Sequence, residues 1–436
     1  MAAPDRLILA GGPGERRIAL LAGDDILDFH IDRFAPRSGD IVLGRVLPRP
    51  KGLTATFVEI GESQPGFLGQ GSKAAEGETM LVQITGAARR HKGATLTARP
   101  SLPGRWLAYD PRRPGITLSR RLPAELREDM KARLQPLLTE GEGVVARSGA
   151  DQASPEQLGI ELASLRLRWA EIEAKAASVK PPARLYAPPL LERLLQDWPE
   201  IDSVEVDDSA LLAEAKRNFP AARLAAGAWE SSGAADLLDQ SLDRRAPFAG
   251  GGALVIDETE ALTVIDIDGG GLAPMDANRA ALPEIARQMR LRALAGHILI
   301  DVIPPCGKTE MAALLADLED LLAGDPTPTQ IIGATRLGLV ELTRERRRPS
   351  LSEHFLADAG PVRAANALAF DALREVVRAV DHAPAMKPRL IAAPAVIHYL
   401  QSRPDLIAET QTRLGRPLAL ETRDGMAGFI IQDGRP

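Results

Sequence analysis

Leu262-Thr263-Val264-Ile265-Asp266-Ile267-Asp268, followed at once by Gly269-Gly270-Gly271, is the stretch on which the fold of this chain turns. Its β-branched run has strand character, and the glycines end it. Further on, Ile298-Leu299-Ile300-Asp301 repeats the theme, an apolar strand closed by an acid. Between the two, from about Asn278 to Ala295, apolar residues recur at helical spacing. A strand, a helix and a second strand form a crossover that places the strands parallel in one sheet. The surrounding text extends the pattern: a strand at Ala253 to Ile256, the strand Ala261 to Asp268, a strand at His297 to Val302, a helix at Thr309 to Ala323 and a strand at Thr329 to Ala334. This is an α/β layer. Its two acid-bearing strands are almost continuously apolar, which predicts cover on both faces.

Side chains two apart on a strand share a face, so Asp266 and Asp268 point the same way. Asp301 closes the next parallel strand, and ligands of open α/β sheets bind beyond the carboxyl ends of strands. The spacing therefore predicts three carboxylates converging on one spot. Mutual repulsion there is relieved by a hard cation with oxygen ligands, and hydrated magnesium can polarise a phosphoryl oxygen and activate water. The plainer alternative is that each aspartate caps the helix or turn that follows it. Two other motifs fit poorly. Cys306-Gly307-Lys308-Thr309 resembles the end of a phosphate-binding loop, but Val302 stands where its first glycine is required. Gly251-Gly252 and Gly269 to Gly271 lack the spacing of a dinucleotide site. The histidines at 30, 91, 297, 354, 382 and 398 show no pairing suited to acid–base cleavage of RNA.

Outward from this layer, 436 residues are too many for a single core. Hydrophobic residues make up 45% and charged residues 26%, ordinary for a globular chain. No apolar run is long enough to span a membrane, and the N-terminus does not read as a signal peptide, so a cytoplasmic location is expected. One cysteine, Cys306, excludes an internal disulfide and any zinc site built from several cysteines of one chain. The net charge of -6 argues against a nucleic-acid partner, but its distribution argues for one. Between Gly86 and Arg121 stand Arg89, Arg90, Lys92, Arg99, Arg105, Arg112, Arg113, Arg120 and Arg121, with Asp110 the only acid. That is the footprint of a phosphate-contacting surface, unless it is simply a solvated charged face.

Before the basic stretch, Leu7 to Ala10 and Ile18 to Leu21 read as strands around a Gly/Pro turn, and Ile41 to Val46, Thr54 to Ile60 and Met80 to Ile84 as short strands of a small β-barrel. After it the pattern turns helical. Pro123 to Leu138 has a helical period, and Ser154 to Ala177 is a long helix with Leu158, Leu162, Leu165, Leu167 and Ile172 as its apolar face. The tail, with a helix at Ala364 to Asp381, reads as a small α/β domain.

Leu254-Val255-Ile256-Asp257-Glu258-Thr259-Glu260-Ala261-Leu262 and the acid-bearing strand after it resemble the signature of the ribonuclease E/G family. Glu284-Ile285-Ala286-Arg287-Gln288-Met289-Arg290-Leu291-Arg292 is similar to that family's EIARQLRLR helix, His297 to Val302 to its IVIDF strand, and Arg336 to Glu341 to its RFGLLE segment. The resemblance runs through nearly the whole chain. It implies an α/β multidomain fold: an RNase H-like domain (1–35 with 190–242), an inserted OB-fold β-barrel (36–101), a 5′-sensor region (102–189), a DNase I-like catalytic domain (243–357) and a small C-terminal α/β domain (358–436).

It also implies a magnesium-dependent endoribonuclease acting on single-stranded RNA, with manganese as a substitute ion. Asp266 and Asp301 match the metal-binding catalytic aspartates, and Asp268 falls where a supporting Asn is usual. Phe57 and Phe67 match positions that stack on bases, with Lys92, Arg120 and Arg121 as further RNA contacts. Gly143 to Gly149 resembles the 5′-phosphate sensor, giving Arg147, Ser148 and Arg336 that role, with Ser148 in place of the usual Thr. The family's C-P-x-C zinc link is missing after Phe355. No zinc is therefore expected, and any oligomer would not be joined through one. The altered acids and the missing link keep open a second reading, an RNA-binding protein with little or no nuclease activity. A third reading, a metal-dependent phosphatase, ignores the barrel and the basic stretch.

Overall fold

A computed structural model describes residues 3–33, 38–48, 55–69, 74–86, 88, 93–119, 122–147, 149–198, 200–304, 306–357 and 362–434, the side chain of 196 excepted. The chain forms two units, Met1–Ala35 with Glu200–Pro436, and Pro36–Pro199.

The first unit begins with a meander, β1 (Arg6–Gly12), β2 (Glu15–Ala22) and β3 (Asp25–Asp32). Glu15 on β2 is fully buried and accepts ion pairs from Arg17 (2.7 Å), Arg33 (2.6 Å) and Arg374. Burial alone would raise its carboxyl. The three guanidiniums outweigh that and hold it well below the usual carboxylate range.

The second unit opens with β4 (Ile41–Val46), β5 (Thr56–Glu59), β6 (Gly66–Leu68), β7 (Thr79–Gly86) and β8 (Thr95–Thr97). These close on themselves in the order β4-β5-β6-β8-β7, with β7 returning to β4 and β6 parallel to β8. This is an OB-like barrel. Its interior holds Val42, Val58, Leu68, Val82, Ile84 and Leu96, supplied by alternate positions of each strand. Then follow β9 (Leu102–Pro103), β10 (Leu107–Asp110), β11 (Gly115–Leu118), α1 (Arg127–Leu134), β12 (Gly143–Ala146), α2 (Pro155–Ser178), β13 (Ala183–Tyr186) and α3 (Leu190–Asp197). Strands β11-β12-β10-β9 make a second small sheet, and β13 adds to the barrel beside β4. Helix α2 starts at a capping box: the Ser154 hydroxyl accepts from Gln157 N, and the Gln157 side chain accepts from Ser154 N. Its buried face is Leu158, Leu162, Leu165, Trp169 and Ile172. Leu167 is 64% exposed, contrary to the reading from sequence. It stands only two residues from Leu165 and so falls on the far side of the helix.

The first unit resumes with β14 (Ser203–Val206), α4 (Ser209–Asn218), β15 (Arg223–Leu224), α5 (Ala228–Ser231), α6 (Ala234–Gln240) and β16 (Arg245–Pro247). Strand β14 pairs parallel with β1, giving the sheet order β15-β14-β1-β2-β3. Next come β17 (Ala253–Glu258), β18 (Leu262–Asp268), α7 (Pro274–Leu291), β19 (Gly296–Asp301), α8 (Lys308–Leu322), β20 (Thr329–Ala334) and β21 (Leu339–Arg344). The sheet order is β16-β17-β18-β19-β21-β20, with β18 and β19 parallel. Both crossovers, β18-α7-β19 and β19-α8-β20, step the same way across the sheet. The right-handed rule therefore sets α7 and α8 on the same face. Ile265, Ile267, Ile298 and Ile300 pack there against Leu282, Ile285 and Met289 of α7 and Leu314 and Leu318 of α8. Each such side chain contributes roughly 1.5–3 kcal/mol by leaving water.

The expected cover on both faces is not what forms. Along β18, Thr263, Ile265 and Ile267 are buried, whereas Asp266 and Asp268 are exposed. Strand β21, not foreseen from sequence, wedges between β19 and β20 and turns Arg344 inward. That arginine is buried, donating to Asp325 and to the Leu294 carbonyl, both at 2.7 Å. The chain ends in α9 (Leu351–Phe355), α10 (Ala365–His382), β22 (Pro388–Ala392), α11 (Pro394–Ser402), α12 (Pro404–Leu414), β23 (Ala419–Thr422) and β24 (Phe429–Asp433), a three-stranded sheet under helices. Among the described residues no helix is long and apolar enough to cross a membrane.

Candidate active site

Register decides the geometry at the end of the helix-covered sheet. Strands β18 and β19 pair from Leu262↔His297 to Asp266↔Asp301. The two aspartates are thus direct neighbours across a parallel pair, with backbones about 4.8 Å apart and side chains on one face. Both are exposed, and neither takes a hydrogen bond or ion pair from any other described residue.

Asp268, two residues beyond Asp266, is arranged differently. Arg245 on β16 reaches across and donates to Asp268 Oδ2 at 2.7 Å, and Gly270 N donates to Oδ1 at 3.2 Å. The Arg245 hydrogen bond, then Gly270 N and the Arg245 charge, hold this carboxyl below the ordinary range. Arg244 is locked to Asp257 through two bonds, at 2.5 and 2.6 Å. Those bonds keep Arg244 charged, with the negative charges of Asp257 and then Asp266 adding to the effect. Among the described residues no three His, Cys, Asp or Glu side chains gather as a metal cage. The expected convergence of three acids is therefore a neighbouring pair plus a third held by a cation. A carboxylate two residues farther out meets Arg245 before it meets its fellows.

Backbone geometry beneath the pair is tightly held. Gly270 has φ +58, and a Cβ there would lie 2.1 Å from the Gly251 carbonyl oxygen, so only glycine fits this turn. Asn278, one turn into α7 and completely buried, clasps the segment after Asp301. Its Nδ2 donates to the Ile303 carbonyl and its Oδ1 accepts from Ile303 N, both at 2.9 Å. Sequence reading missed this residue. The available signal was a lone amide on the otherwise apolar face of the helix joining two acid-ended strands.

In the barrel, Phe57 of β5 stands opposite Phe67 of β6. Their rings meet edge to face, centroids 6.0 Å apart, and Phe67 is 39% exposed. They lie outside the barrel core, as a surface platform. Arg99, Arg105, Arg112 and Arg113 are exposed and form no salt bridge with a described residue. Lys92, Arg120, Arg121 and Ser148 fall outside the described residues. Arg147, in the second unit, donates to the Gly104 carbonyl (2.6 Å) and pairs with Asp197 (3.2 Å). Arg336, in the first unit, is exposed on the turn between β20 and β21.

The sequence profile of the Ribonuclease E/G family matches residues 101–347, more than half of the chain. The chain belongs to the ribonuclease E/G family. Family membership makes it an endoribonuclease. It is 28% identical over 480 residues to Ribonuclease G of Haemophilus influenzae, covering 95% of this chain and 96% of that protein. It is 29% identical over 467 residues to Ribonuclease G of Escherichia coli strain K12, covering 94% and 95% respectively. Ribonuclease E of the same strain is 30% identical over 395 residues, which is 80% of this chain and 37% of that longer protein. In this ribonuclease E/G member the two acid-ended strands, the glycine turn and Asp301 all lie within the matched stretch.

Proposed function

We propose that the chain cuts single-stranded RNA with magnesium, in RNA processing or decay in the cytoplasm, leaving 5′-monophosphate and 3′-hydroxyl ends. The pair Asp266 and Asp301 carries this reading. Two carboxylates directly opposite one another on neighbouring strands repel. Exposed and taking no ion pair from a described residue, although Asp266 lies within the field of Arg244, they suit a hard divalent ion with oxygen ligands. Magnesium held by Asp266 and Asp301, or manganese in its place, supplies Lewis-acid polarisation of a phosphoryl oxygen and of water.

The remaining roles belong to the chain's own groups. Asn278 fixes the backbone that carries Asp301. Asp268 supports the pair from outside, its charge offset by Arg245. Phe57 and Phe67 stack on bases, and Lys92, Arg120 and Arg121, with the exposed arginines near them, contact phosphates. Arg147 and Ser148 recognise a 5′-phosphate, with Arg147 exchanging its bond to Asp197 for the ligand; the same role is proposed for Arg336. In domain terms, 1–35 with 190–242 is read as RNase H-like, 36–101 as the OB-fold, 102–189 as the sensor, 243–357 as DNase I-like and 358–436 as the small domain.

The test is cleavage of 5′-monophosphorylated single-stranded RNA with and without magnesium, with the product ends analysed. Asp266→Asn or Asp301→Asn cutting as well as wild type would overturn the assignment. The pairing of Asp268 with Arg245 is the one observation that favours an RNA-binding protein with weak or no nuclease activity. Salt-sensitive RNA binding without any magnesium-dependent cutting would select that reading instead.

A further inference from the structure

Asp266 takes no ion pair from a described residue, yet one arginine stands close enough to feel its charge. Arg244, just ahead of β16, is fixed by Asp257, to which Nε donates at 2.5 Å and Nη2 at 2.6 Å. Register places that pair. Val255 of β17 lies directly opposite Asp266, and Asp257 is the next residue of β17 on the same open face. Asp257 and Asp266 are thus diagonal neighbours, about 7–8 Å apart and within reach of a long side chain. Two features separate Arg244 from an ordinary surface ion pair, which adds little to a fold. Its grip on Asp257 spends only Nε and Nη2, while Nη1 makes no bond with a described residue and 64% of the side chain is in solvent. Asp257 also holds the guanidinium back. Left loose at that distance, an arginine would settle on Asp266 and occupy the lone pairs a divalent ion needs. The brace keeps a cation beside the acid pair without neutralising it.

We propose that Arg244 is a further catalytic residue, donating from Nη1 to a non-bridging oxygen of the scissile phosphate and holding that phosphate beside Asp266 and Asp301. This role rests on the cleavage reading above, and it makes Asp257 a positioning residue that acts through Arg244. In hydrolysis the water oxygen joins phosphorus and the P–O3′ bond breaks. One water proton ends on the 3′ oxygen, and the other on the new 5′-phosphate, from which it passes to solvent. Negative charge grows on the non-bridging oxygens along the way. A charge-assisted donor fixed in advance grips them more strongly there than in the starting diester. Burial would strip water from such a donor; here exposure leaves Nη1 open to an RNA strand lying on the sheet face.

The test is single-turnover cleavage, with magnesium, of a single-stranded RNA carrying one cleavable linkage, supplied as the ordinary diester and as each phosphorothioate diastereomer. Arg244→Gln lowers the rate by about 100-fold or more, with unchanged thermal melting because the side chain is exposed. Sulfur at the oxygen facing Nη1 slows wild type roughly tenfold but slows Arg244→Gln no further. Manganese binding without RNA, read by calorimetry, is kept in Arg244→Gln. It is weakened about tenfold in Asp257→Asn, where the released arginine settles on Asp266. Wild type that cuts no RNA overturns the cleavage reading and this role together. The role of Arg244 alone falls if wild type cuts and Arg244→Gln cuts as well, or if the sulfur effects are the same in both proteins. It falls equally if Arg244→Gln loses manganese binding or Asp257→Asn keeps it.

Discussion

Two pairs of side chains in this protein stand directly opposite one another on neighbouring strands and face away from a core. In the barrel the pair is Phe57 and Phe67; in the helix-covered sheet it is Asp266 and Asp301. Strand geometry does the same thing in both places, and the chemistry gives opposite results. Facing aromatic rings stabilise their own strands by about 0.5–1.5 kcal/mol beyond burial. Facing carboxylates cost stability. The first pair can exist for the fold alone. The second pair, on the proposed reading, is relieved by a cation between its members.

Four outcomes would sharpen or break that contrast. The largest concerns the acids. Asp266→Asn or Asp301→Asn should lower RNA cleavage by about three orders of magnitude while leaving the melting temperature equal or higher, because repulsion is removed. Loss of stability in either variant would mean the pair is structural. Asn278→Ala comes next. It strips Ile303 of both backbone partners and should cost about 1–3 kcal/mol in denaturant unfolding. Letting the Asp301 strand end drift by an ångström should also cut kcat by about 100-fold, with KM for RNA little changed.

Phe57→Ala or Phe67→Ala should do the reverse, weakening single-stranded RNA binding by about 1–3 kcal/mol through KM, with kcat largely kept. The smallest effect belongs to Arg245→Gln. Its exposed bond holds Asp268 below the ordinary carboxylate range, so that contribution is present above the unfolded carboxyl pKa and lost as pH falls through the folded one. Stability of the variant should differ slightly from wild type near neutrality and converge with it in acid, as followed by thermal melts against pH.

Much of this was legible in the letters, for reasons that vary by element. Between Ala253 and Ala334 the apolar periods switch cleanly between two and three-to-four, so the strands and helices there, and the parallel pairing of β18 with β19, follow from pattern and handedness. The barrel was visible as short strands between turns. Strand β21 was not, because its alternation of half-buried and buried positions ends on Arg344, whose inward turn depends on Asp325. Leu165 and Leu167 look like one stripe in the letters, but residues two apart on a helix face opposite sides, and Trp169 holds the place on the buried face. Cover on both faces failed for a topological reason, since two crossovers stepping the same way leave one face without helices. The bond from Arg245 to Asp268 is not legible because Arg245 sits on a strand of only three residues, too short to read. The clasp of Asn278 on Ile303 joins groups 25 residues apart, and no local rule reports that.

The parallel pairing of β1 with β14 has a consequence for synthesis. Arg6 to Leu9 pair at once with β2 on one side but find their partners on the other side only at Ser203 to Val206, and Glu15 receives the last of its three arginines only from position 374. During translation at about 5–20 residues per second, the opening segment waits many seconds for its neighbour while the inserted unit can close first. The end of the chain that emerges earliest is thus among the last parts to settle, and a ribosome paused before residue 203 would hold a folded barrel beside an unpaired strand edge.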